Sequence, residues 1–220
     1  MSDRVLPCVE IGPRGDVKGA VVWLHGLGAN GHDFEPIVPL LELPQVRFVF
    51  PHAPSRPVTI NGGMVMPSWY DIVSLGSAGG GNAIHVAESR AQVDALLRRE
   101  KERGVSSDRI VLAGFSQGAA LALHSGIRHP ETLAGILVLS GYEVVPGTRE
   151  AEASPANRHT PMLFCHGARD GVVPVVGGRA AYQAYATPGR DAQWREFPIA
   201  HEVSDDEIAA VRDWLHARLM

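Results

Sequence analysis

Residues 110–123 read Ile110-Val-Leu-Ala-Gly-Phe-Ser-Gln-Gly-Ala-Ala-Leu-Ala-Leu123 and change character halfway along. The first part is an apolar run of strand length, and the last part is rich in the strong helix formers alanine and leucine. Between them lies a Gly-x-Ser-x-Gly motif, whose glycines leave room for a strand and a helix to meet at a sharp turn. These residues therefore predict a buried strand, a tight turn that carries Ser116, and a buried helix.

The same alternation of short apolar runs and longer helical patterns continues along the chain. Predicted strands lie at residues 20–24, 46–50, 109–115, 135–140, 161–166 and 193–197, and predicted helices at 82–103, 117–128, 178–186 and 204–219. Several strands are apolar on both faces, which is typical of a parallel sheet covered by helices on both sides. Since no repeat, linker or change in composition divides the chain, we predict a single α/β domain over residues 1–220 with a mainly parallel central sheet.

The composition excludes several classes of protein. The chain has 220 residues, of which 20 are lysine or arginine and 24 are aspartate or glutamate, and its net charge is −4. This balance argues against nucleic-acid binding and against electrostatic attachment to anionic membranes. Cys8 and Cys165 form no Cys-x-x-Cys pair of a zinc or redox site. Since the N-terminus lacks the apolar segment of a signal peptide, we expect a cytoplasmic protein without stable membrane association.

The ends of two predicted helices carry capping signals. Gly104 follows the first long helix, whose last turn holds Lys101 and Arg103, where cations suit the helix dipole. Residues 204–207 read Ser-Asp-Asp-Glu, a capping box at the start of the last helix. By contrast, residues 51–81 are rich in proline, glycine, serine and methionine and show no period. We predict a long irregular segment there, of the kind that often borders a functional site.

Ser116 is the candidate nucleophile. A nucleophile elbow requires a serine at a sharp turn between a strand and a helix, and residues 110–123 supply that context. The N-terminus of the following helix favours the negative charge that develops during acyl transfer. A serine hydroxyl is a weak nucleophile until a neighbouring base removes its proton, so a histidine and an acid must come from elsewhere in the chain.

In α/β-hydrolases the acid and then the histidine follow the serine along the chain. His201 and His216 come late enough, and His201 is the candidate base because it lies in a loop after the last predicted strand, whereas His216 belongs to the terminal helix. Two acids follow predicted strands. Asp170 lies in a glycine-rich turn that would hold its side chain well, and Glu143 follows the preceding strand. The residues by themselves favour Asp170 as the catalytic acid, and Glu143 remains the alternative.

Acyl transfer also requires hydrogen-bond donors for the oxyanion. Residues 23–28 read Trp-Leu-His-Gly-Leu-Gly after the first strong strand, and their glycines permit a turn that points an amide outward. The candidate donors are the backbone amides of Leu27 and Gln117. His25 precedes every candidate acid and is expected to order this loop. Its spacing to His32 fits no familiar zinc site, so we expect no metal.

Seven blocks, in order between about residues 20 and 203, resemble the phospholipase/carboxylesterase family, in particular its bacterial carboxylesterase branch; the family also contains the eukaryotic acyl-protein thioesterases. The blocks are Trp-Leu-His-Gly-Leu-Gly at 23–28, Pro-His-Ala-Pro at 51–54, Pro-Val-Thr-Ile-Asn-Gly-Gly-Met at 57–64, Ser-Trp-Tyr-Asp-Ile at 68–72, Gly-Phe-Ser-Gln-Gly at 114–118, His-Gly-Ala-Arg-Asp-Gly-Val-Val-Pro at 166–174 and Ala-His at 200–201. Seven ordered blocks are far more specific than one Gly-x-Ser-x-Gly motif.

The resemblance implies an α/β-hydrolase fold without a large lid domain, and ester hydrolysis through an acyl-enzyme without cofactor or metal. It implies Ser116, Asp170 and His201 as the catalytic triad, and so favours Asp170 over Glu143. It also implies that residues 51–81 border a shallow cleft. Candidate contacts to the acyl group are Met64, Met66, Trp69, Leu75 and Val172, alongside Leu27. Core packing under a long loop is the alternative for the methionine and tryptophan positions.

These observations predict a serine carboxylesterase that hydrolyses small or medium-chain esters. Its expected partner is a small-molecule ester, and analogy with relatives suggests a homodimer. A lysophospholipase or acyl-thioesterase with the same triad is the alternative within hydrolases. A catalytically silent hydrolase fold that binds a ligand is less favoured, because no member of the triad is missing.

Overall fold

The computed structural model describes residues 5–13, 15–74 and 80–220. Its strands are β1 (Cys8–Ile11), β2 (Gly19–Leu24), β3 (Val46–Pro51), β4 (Ser55–Val58), β5 (Met64–Pro67), β6 (Ile72–Ser74), β7 (Gly80–Gly81), β8 (Ile110–Phe115), β9 (Gly135–Leu139), β10 (Met162–Gly167) and β11 (Ala192–Phe197). Its α-helices are α1 (Ala83–Glu102), α2 (Gln117–Gly126), α3 (Arg149–Glu152), α4 (Val175–Tyr185) and α5 (Asp205–Leu219). Short 3₁₀ helices lie at Glu35–Leu41, Thr59–Asn61, Ser107–Arg109 and Pro155–Asn157.

Seven strands form one central sheet in the order β1-β3-β2-β8-β9-β10-β11. Neighbouring strands are parallel except β1 and β3, which pair antiparallel with Val9 opposite Phe50. The carboxyl ends of β2, β8, β10 and β11 therefore lie at the same edge of the sheet, which is where open α/β sheets carry their ligand sites. The prediction of a mainly parallel sheet is confirmed.

The central strands bury both faces, because their side chains alternate between two hydrophobic clusters. Val21 and Trp23 of β2 belong to one cluster, together with residues of α5 and of the 3₁₀ helix Glu35–Leu41. Ala20 and Val22 belong to the other, together with residues of α1, α2 and α4. Helices thus cover both faces, and the described residues contain no large extra domain. None of the described helices is both long enough and apolar enough to span a membrane.

All six predicted strands and all four predicted helices are present, and their bounds differ from the prediction by at most three residues. The prediction missed β1. This strand has four residues, lies at the edge of the sheet and is only half-buried, so its side chains carry little apolar periodicity.

The prediction that residues 51–81 are irregular was partly wrong. Strands β4 and β5 pair as an antiparallel hairpin, and β6 pairs with β7. The hairpin turns at Gly62 and Gly63, whose φ angles of 65° and 80° favour glycine. Pro57 and Pro67 lie within these strands, which a two-stranded ribbon tolerates because each strand is an edge. The prolines and glycines hide the period of two that would have predicted the strands.

The predicted capping interactions at the ends of α1 and α5 are partly present. The chain leaves α1 at Gly104, whose φ is 92°, and Lys101 lies in the last turn as predicted. At the start of α5, Ser204 Oγ accepts a hydrogen bond from the Glu207 amide at 3.3 Å. The second half of the predicted capping box is absent, because the Glu207 carboxylate turns into the interior, where it has no hydrogen-bond partner among the described residues.

Candidate active site

Ser116 stands at the turn between β8 and α2. Its φ of 56° and ψ of −119° lie outside the helix and strand regions. Its N–H donates to the Leu139 carbonyl at 2.8 Å, which ties the turn to the neighbouring strand β9. A non-glycine residue in this conformation costs about 1–3 kcal/mol and is typical of functional turns.

Two glycines allow the close approach that this turn needs. A Cβ atom on Gly114 would lie 2.4 Å from the backbone of Gly118, and one on Gly118 would lie 2.3 Å from the Leu24 carbonyl oxygen. Helix α2 therefore begins in backbone contact with both β8 and β2. Any larger side chain at these positions would push the helix, and Ser116 with it, away from the sheet.

Three side chains from three different loops form a continuous hydrogen-bonded chain. His201 Nε2 lies 2.9 Å from Ser116 Oγ, and His201 Nδ1 lies 2.7 Å from Asp170 Oδ2. Because the carboxylate can only accept, Nδ1 carries the proton and the lone pair of Nε2 faces the hydroxyl. The Phe115 ring packs on the imidazole with centroids 4.8 Å apart. In this arrangement a histidine can remove the proton of a serine.

Asp170 is held on both of its oxygens. Oδ1 accepts the amides of Val172 at 2.9 Å and Val173 at 2.8 Å, and the side chain is fully buried. His166 lies behind it: its Nε2 is 2.9 Å from the Val173 carbonyl oxygen and 3.5 Å from Asp170 Oδ2. Burial lowers the pKa of His166, which favours the neutral imidazole there. The glycine-rich turn after β10 is thus a rigid holder for the carboxylate.

The other sequence candidates lie elsewhere. The Glu143 carboxylate accepts hydrogen bonds from Arg149 at 3.2 Å and from the Tyr185 hydroxyl at 3.3 Å, and it makes no described contact with His201. His216 Nε2 lies 3.1 Å from the Leu41 carbonyl oxygen, on the opposite face of the sheet from α2. Neither residue joins the chain at Ser116.

Leu27 and Gln117, whose amides are the predicted oxyanion donors, both line the cleft over Ser116. Within the described residues, neither amide donates a hydrogen bond to the protein. The next amide after Leu27, that of Gly28, donates to the Pro67 carbonyl at 2.9 Å and fixes the loop. Gln117 is the first residue of α2, where the helix dipole favours negative charge. The two amides are therefore available to an oxyanion.

His25 orders its loop through both ring nitrogens. Nδ1 donates to the Gly26 carbonyl at 2.7 Å, and Nε2 accepts the Ala53 amide at 3.1 Å. Burial lowers the pKa of His25 to about 4, so the ring is neutral at physiological pH. His32 pairs instead with Glu35 at 2.7 Å. The described residues hold no group of three side chains suited to binding a metal.

A cleft of about 320 Å³ opens over Ser116 and His201. Its apolar walls are formed by Leu27, Ile60, Ile72, Phe115, Val172 and Val173. Asp33, Asn61 and Tyr142 add polar groups. Of the predicted acyl contacts, Val172 and Leu27 line this cleft.

The prediction of Trp69 as a substrate contact needs correction. This side chain is fully buried beneath the cleft, and its indole N–H donates to the His25 carbonyl at 2.9 Å. It is a core residue because a large aromatic side chain fills the space below the long loop. Sequence patterns could not distinguish these two roles, since both require an apolar residue at this position.

The two predicted methionines are not among the described residues that line the cleft. Met64 lies near the tip of the β4–β5 hairpin and is 64% exposed. Met66 Sδ accepts a hydrogen bond at 3.3 Å from Nδ2 of Asn61, which does line the cleft. Leu75 lies outside the described residues.

Sequence reasoning missed the role of the Gln117 side chain. Its Oε1 accepts the Trp69 amide at 2.9 Å, and its Nε2 donates to Ser68 Oγ at 3.0 Å and to the Tyr70 carbonyl at 2.7 Å. All four groups are buried, so this amide holds the long loop against the elbow. The sequence did contain one indication of this role. Gln117 is a long polar residue at the start of an apolar helix, and a polar side chain buried there needs hydrogen-bond partners.

A sequence profile described as Phospholipase/Carboxylesterase matches residues 8–219. The chain belongs to the phospholipase/carboxylesterase family. A probable carboxylesterase of Oryza sativa subsp. japonica is 33% identical over the whole of this chain and 85% of its own length. Acyl-protein thioesterase 1 of Yarrowia lipolytica is 32% identical, with 97% of each chain covered.

Solved structures of similar proteins share the fold of this family member. The crystal structure of Arabidopsis thaliana SOBER1 has a TM-score of 0.86 and 31% identity, and covers 92% of this chain and 99% of that one. Zea mays acyl-protein thioesterase 2 has a TM-score of 0.86 and 30% identity, covering 98% of this chain and 100% of that one. The predicted α/β-hydrolase fold is confirmed, and the chain is a carboxylic ester hydrolase.

Proposed function

We propose that this family member is a serine carboxylesterase with Ser116 as nucleophile, His201 as general base and Asp170 as the acid that orients the base. The observation that carries the proposal is the hydrogen-bonded chain from Asp170 through His201 to Ser116, with contacts of 2.7 and 2.9 Å. A hydroxyl within reach of a histidine that a buried carboxylate orients is an activated nucleophile.

The first half-reaction forms an acyl-enzyme. His201 Nε2 takes the hydroxyl proton as Ser116 Oγ attacks the ester carbonyl, and Asp170 stabilises the resulting imidazolium. The amides of Leu27 and Gln117 donate to the tetrahedral oxyanion. His201 then protonates the leaving alcohol, which departs and leaves the acyl group on the serine.

The second half-reaction releases the acid. His201 removes a proton from a water molecule as that water attacks the acyl carbonyl. The oxyanion returns to the same two amides. When the intermediate collapses, Ser116 Oγ leaves and recovers its proton from His201, which restores the resting site. In both half-reactions His201 moves the protons, and water is the second substrate.

The size of the cleft favours small or medium acyl groups. Its volume of about 320 Å³ lies at the lower end of the range of roughly 300–1,000 Å³ that is common for ligand pockets. Its walls are mainly apolar, which suits an acyl chain or a small organic alcohol. We infer that turnover declines once the acyl chain outgrows this space.

The test is kcat/KM across p-nitrophenyl esters from acetyl to palmitoyl, with Ser116→Ala as control. We expect a maximum at short or medium chains, and a loss of roughly 10⁴-fold or more in kcat for Ser116→Ala. A fluorophosphonate probe should label the wild-type protein and not this variant. If Ser116→Ala retains most of the esterase rate, the assigned nucleophile is wrong.

An acyl-thioesterase or lysophospholipase is the second candidate, because several similar proteins are named acyl-protein thioesterase 1. It would use the same residues on a longer acyl chain. An acyl-CoA series measured beside the p-nitrophenyl esters separates the two. Rates that rise with chain length, or thioesters that outpace esters, would favour the second candidate. No turnover of either series and no probe labelling would favour a silent binding protein.

A further inference from the structure

Asp33 gives the cleft its charge. Among the described residues that line the cleft, Asp33 is the one aspartate or glutamate, and no lysine or arginine contributes to the walls. His201, the proposed base, and Tyr142 are the other titratable side chains among these described wall residues. A substrate bound over Ser116 therefore meets one wall carboxylate, and the described wall offers no lysine or arginine to compensate it.

Within the part of the chain that the structure describes, the Asp33 carboxylate has no charge partner. Its amide donates to the Asn30 carbonyl at 3.1 Å, which holds the residue in the loop that also carries Leu27. The adjacent His32 pairs with Glu35 at 2.7 Å. Asp33 is an exposed residue, and desolvation by the surrounding protein raises the pKa of its carboxyl. As an exposed carboxylate it adds a negative charge to the rim of the cleft at neutral pH.

We propose that Asp33 selects substrates by charge, so that the cleft accepts esters with neutral or cationic leaving groups and disfavours anionic ones such as coenzyme A thioesters and phosphate-bearing lipids. This inference rests on the proposed serine esterase function and defines its substrate class. Because Asp33 is exposed at the rim of the cleft, solvent screens its carboxylate, and its field acts mainly on a charged group bound directly over the cleft. The neighbouring walls at Ile60, Ile72 and Val172 are apolar and hold no charge that would offset it.

The experiment compares three aryl butyrates that share an acyl group and differ in leaving-group charge. They are phenyl butyrate, 3-(butyryloxy)benzoate and 3-(butyryloxy)-N,N,N-trimethylanilinium, with butyryl-coenzyme A measured alongside. The readout is the kcat/KM of each charged substrate divided by that of phenyl butyrate. In Asp33→Asn, we expect the anionic-to-neutral ratio to rise about three- to tenfold and the cationic-to-neutral ratio to fall by a similar factor.

Two further variants test whether the effect belongs to this position. Glu35→Gln changes the net charge equally two residues further along the chain, but Glu35 does not line the cleft in the described structure and pairs with His32. We expect it to leave both ratios unchanged within about twofold. Asp33→Glu retains the charge and should keep the wild-type ratios. Raising the ionic strength should weaken the wild-type preference, because salt screens the carboxylate.

The outcomes separate this inference from the proposed function. If wild type hydrolyses phenyl butyrate through Ser116 but Asp33→Asn leaves both ratios unchanged, charge selection is overturned and the esterase function stands. If Glu35→Gln shifts the ratios as much as Asp33→Asn, the effect is one of net charge and the role of Asp33 is also overturned. If phenyl butyrate is not hydrolysed, or Ser116→Ala hydrolyses it equally well, both proposals fall together.

Discussion

Asp170 illustrates how single residues set this site. Two backbone amides at 2.8 and 2.9 Å occupy its Oδ1, and His201 Nδ1 at 2.7 Å occupies its Oδ2. The carboxylate cannot turn away without leaving these buried donors unpaired. Glu143 has the same chemistry, but Arg149 and Tyr185 bind its carboxylate instead. The glycine-rich turn already favoured Asp170 in the sequence, and the neighbours of the two acids now separate their roles.

Substituting the acid should identify the partner of His201. We expect Asp170→Asn to lower kcat by about 10³- to 10⁴-fold, because the amide would favour the wrong histidine tautomer. Glu143→Gln, the matched neutralisation, should change kcat by no more than about threefold. Steady-state kinetics on p-nitrophenyl butyrate measures both variants. A larger loss for Glu143→Gln would reverse the assignment of the acid.

At the level of elements, the junction of β8, β2 and α2 determines where the nucleophile stands. The helix begins in backbone contact with two strands, and a Cβ on Gly118 would lie 2.3 Å from the Leu24 carbonyl oxygen. The Gln117 side chain then fastens the long loop to the same helix end through Trp69 and Tyr70. Strand, helix and loop are thus locked together around Ser116.

A methyl group at this junction should disrupt it. We expect Gly118→Ala to lower the free energy of unfolding by about 2–4 kcal/mol, since the backbone atoms it would meet cannot move aside cheaply. Gly177→Ala is the matched control, because Gly177 lies in α4 with open space around its Cα and no strained φ. It should stabilise the protein by about 0.5–1 kcal/mol. Denaturant unfolding of both variants is the measurement, and equal effects would contradict the packing argument.

The start of α5 carries an acid whose burial makes stability depend on pH. Burial raises the pKa of Glu207 from 4.5 to about 8, so the folded protein binds a proton that the unfolded chain has already released above pH 4.5. The stabilising contribution is therefore complete below pH 4.5 and is lost as the pH rises to about 8. Glu207→Gln should remove this loss.

We expect Glu207→Gln to be more stable than wild type at pH 9 by about 2–4 kcal/mol and to match it near pH 4.5. Denaturant unfolding across this pH range measures the difference. Asp206→Asn changes an exposed carboxyl in the same helical turn and should not reproduce the gain. A stability difference for Glu207→Gln that stays constant with pH would show that its carboxyl is not protonated in the fold.

For the molecule as a whole, the parallel sheet gathers the site. Residues 116, 170 and 201 are far apart along the chain, yet each follows the carboxyl end of a strand. The shared edge brings their side chains within hydrogen-bond distance. The packing that forms the two large cores also buries a histidine in the loop after β2 and another in helix α2. His25 and His124 are both buried, and burial lowers the pKa of each to about 4.

These histidines make the whole fold sensitive to acid. Each stays neutral in the folded state down to about pH 4, whereas the unfolded chain takes up protons below 6.5, so their contribution is present above 6.5 and is lost as the pH falls to 4. We expect His124→Gln to lose less stability in acid than wild type. The free energy of unfolding of the variant, relative to that of wild type, should rise by about 2–3 kcal/mol as the pH falls from 7 to 4. Thermal unfolding measures it, and the exposed His159→Gln should show no such change. A parallel response in both variants would contradict the argument.

The sequence by itself determined six strands of the central sheet and the four long helices, the elbow at Ser116, the fold class and the family. Each of these depends on residues close together in the chain, where periodicity, glycines and capping residues act directly. Only the tertiary structure decided which side chains share a surface. It assigned Trp69 to the core, bound Glu143 to Arg149 and Tyr185, and brought Asp33 into the cleft wall. Such contacts join segments that are distant in sequence, so they exist only once the sheet and its helices have packed.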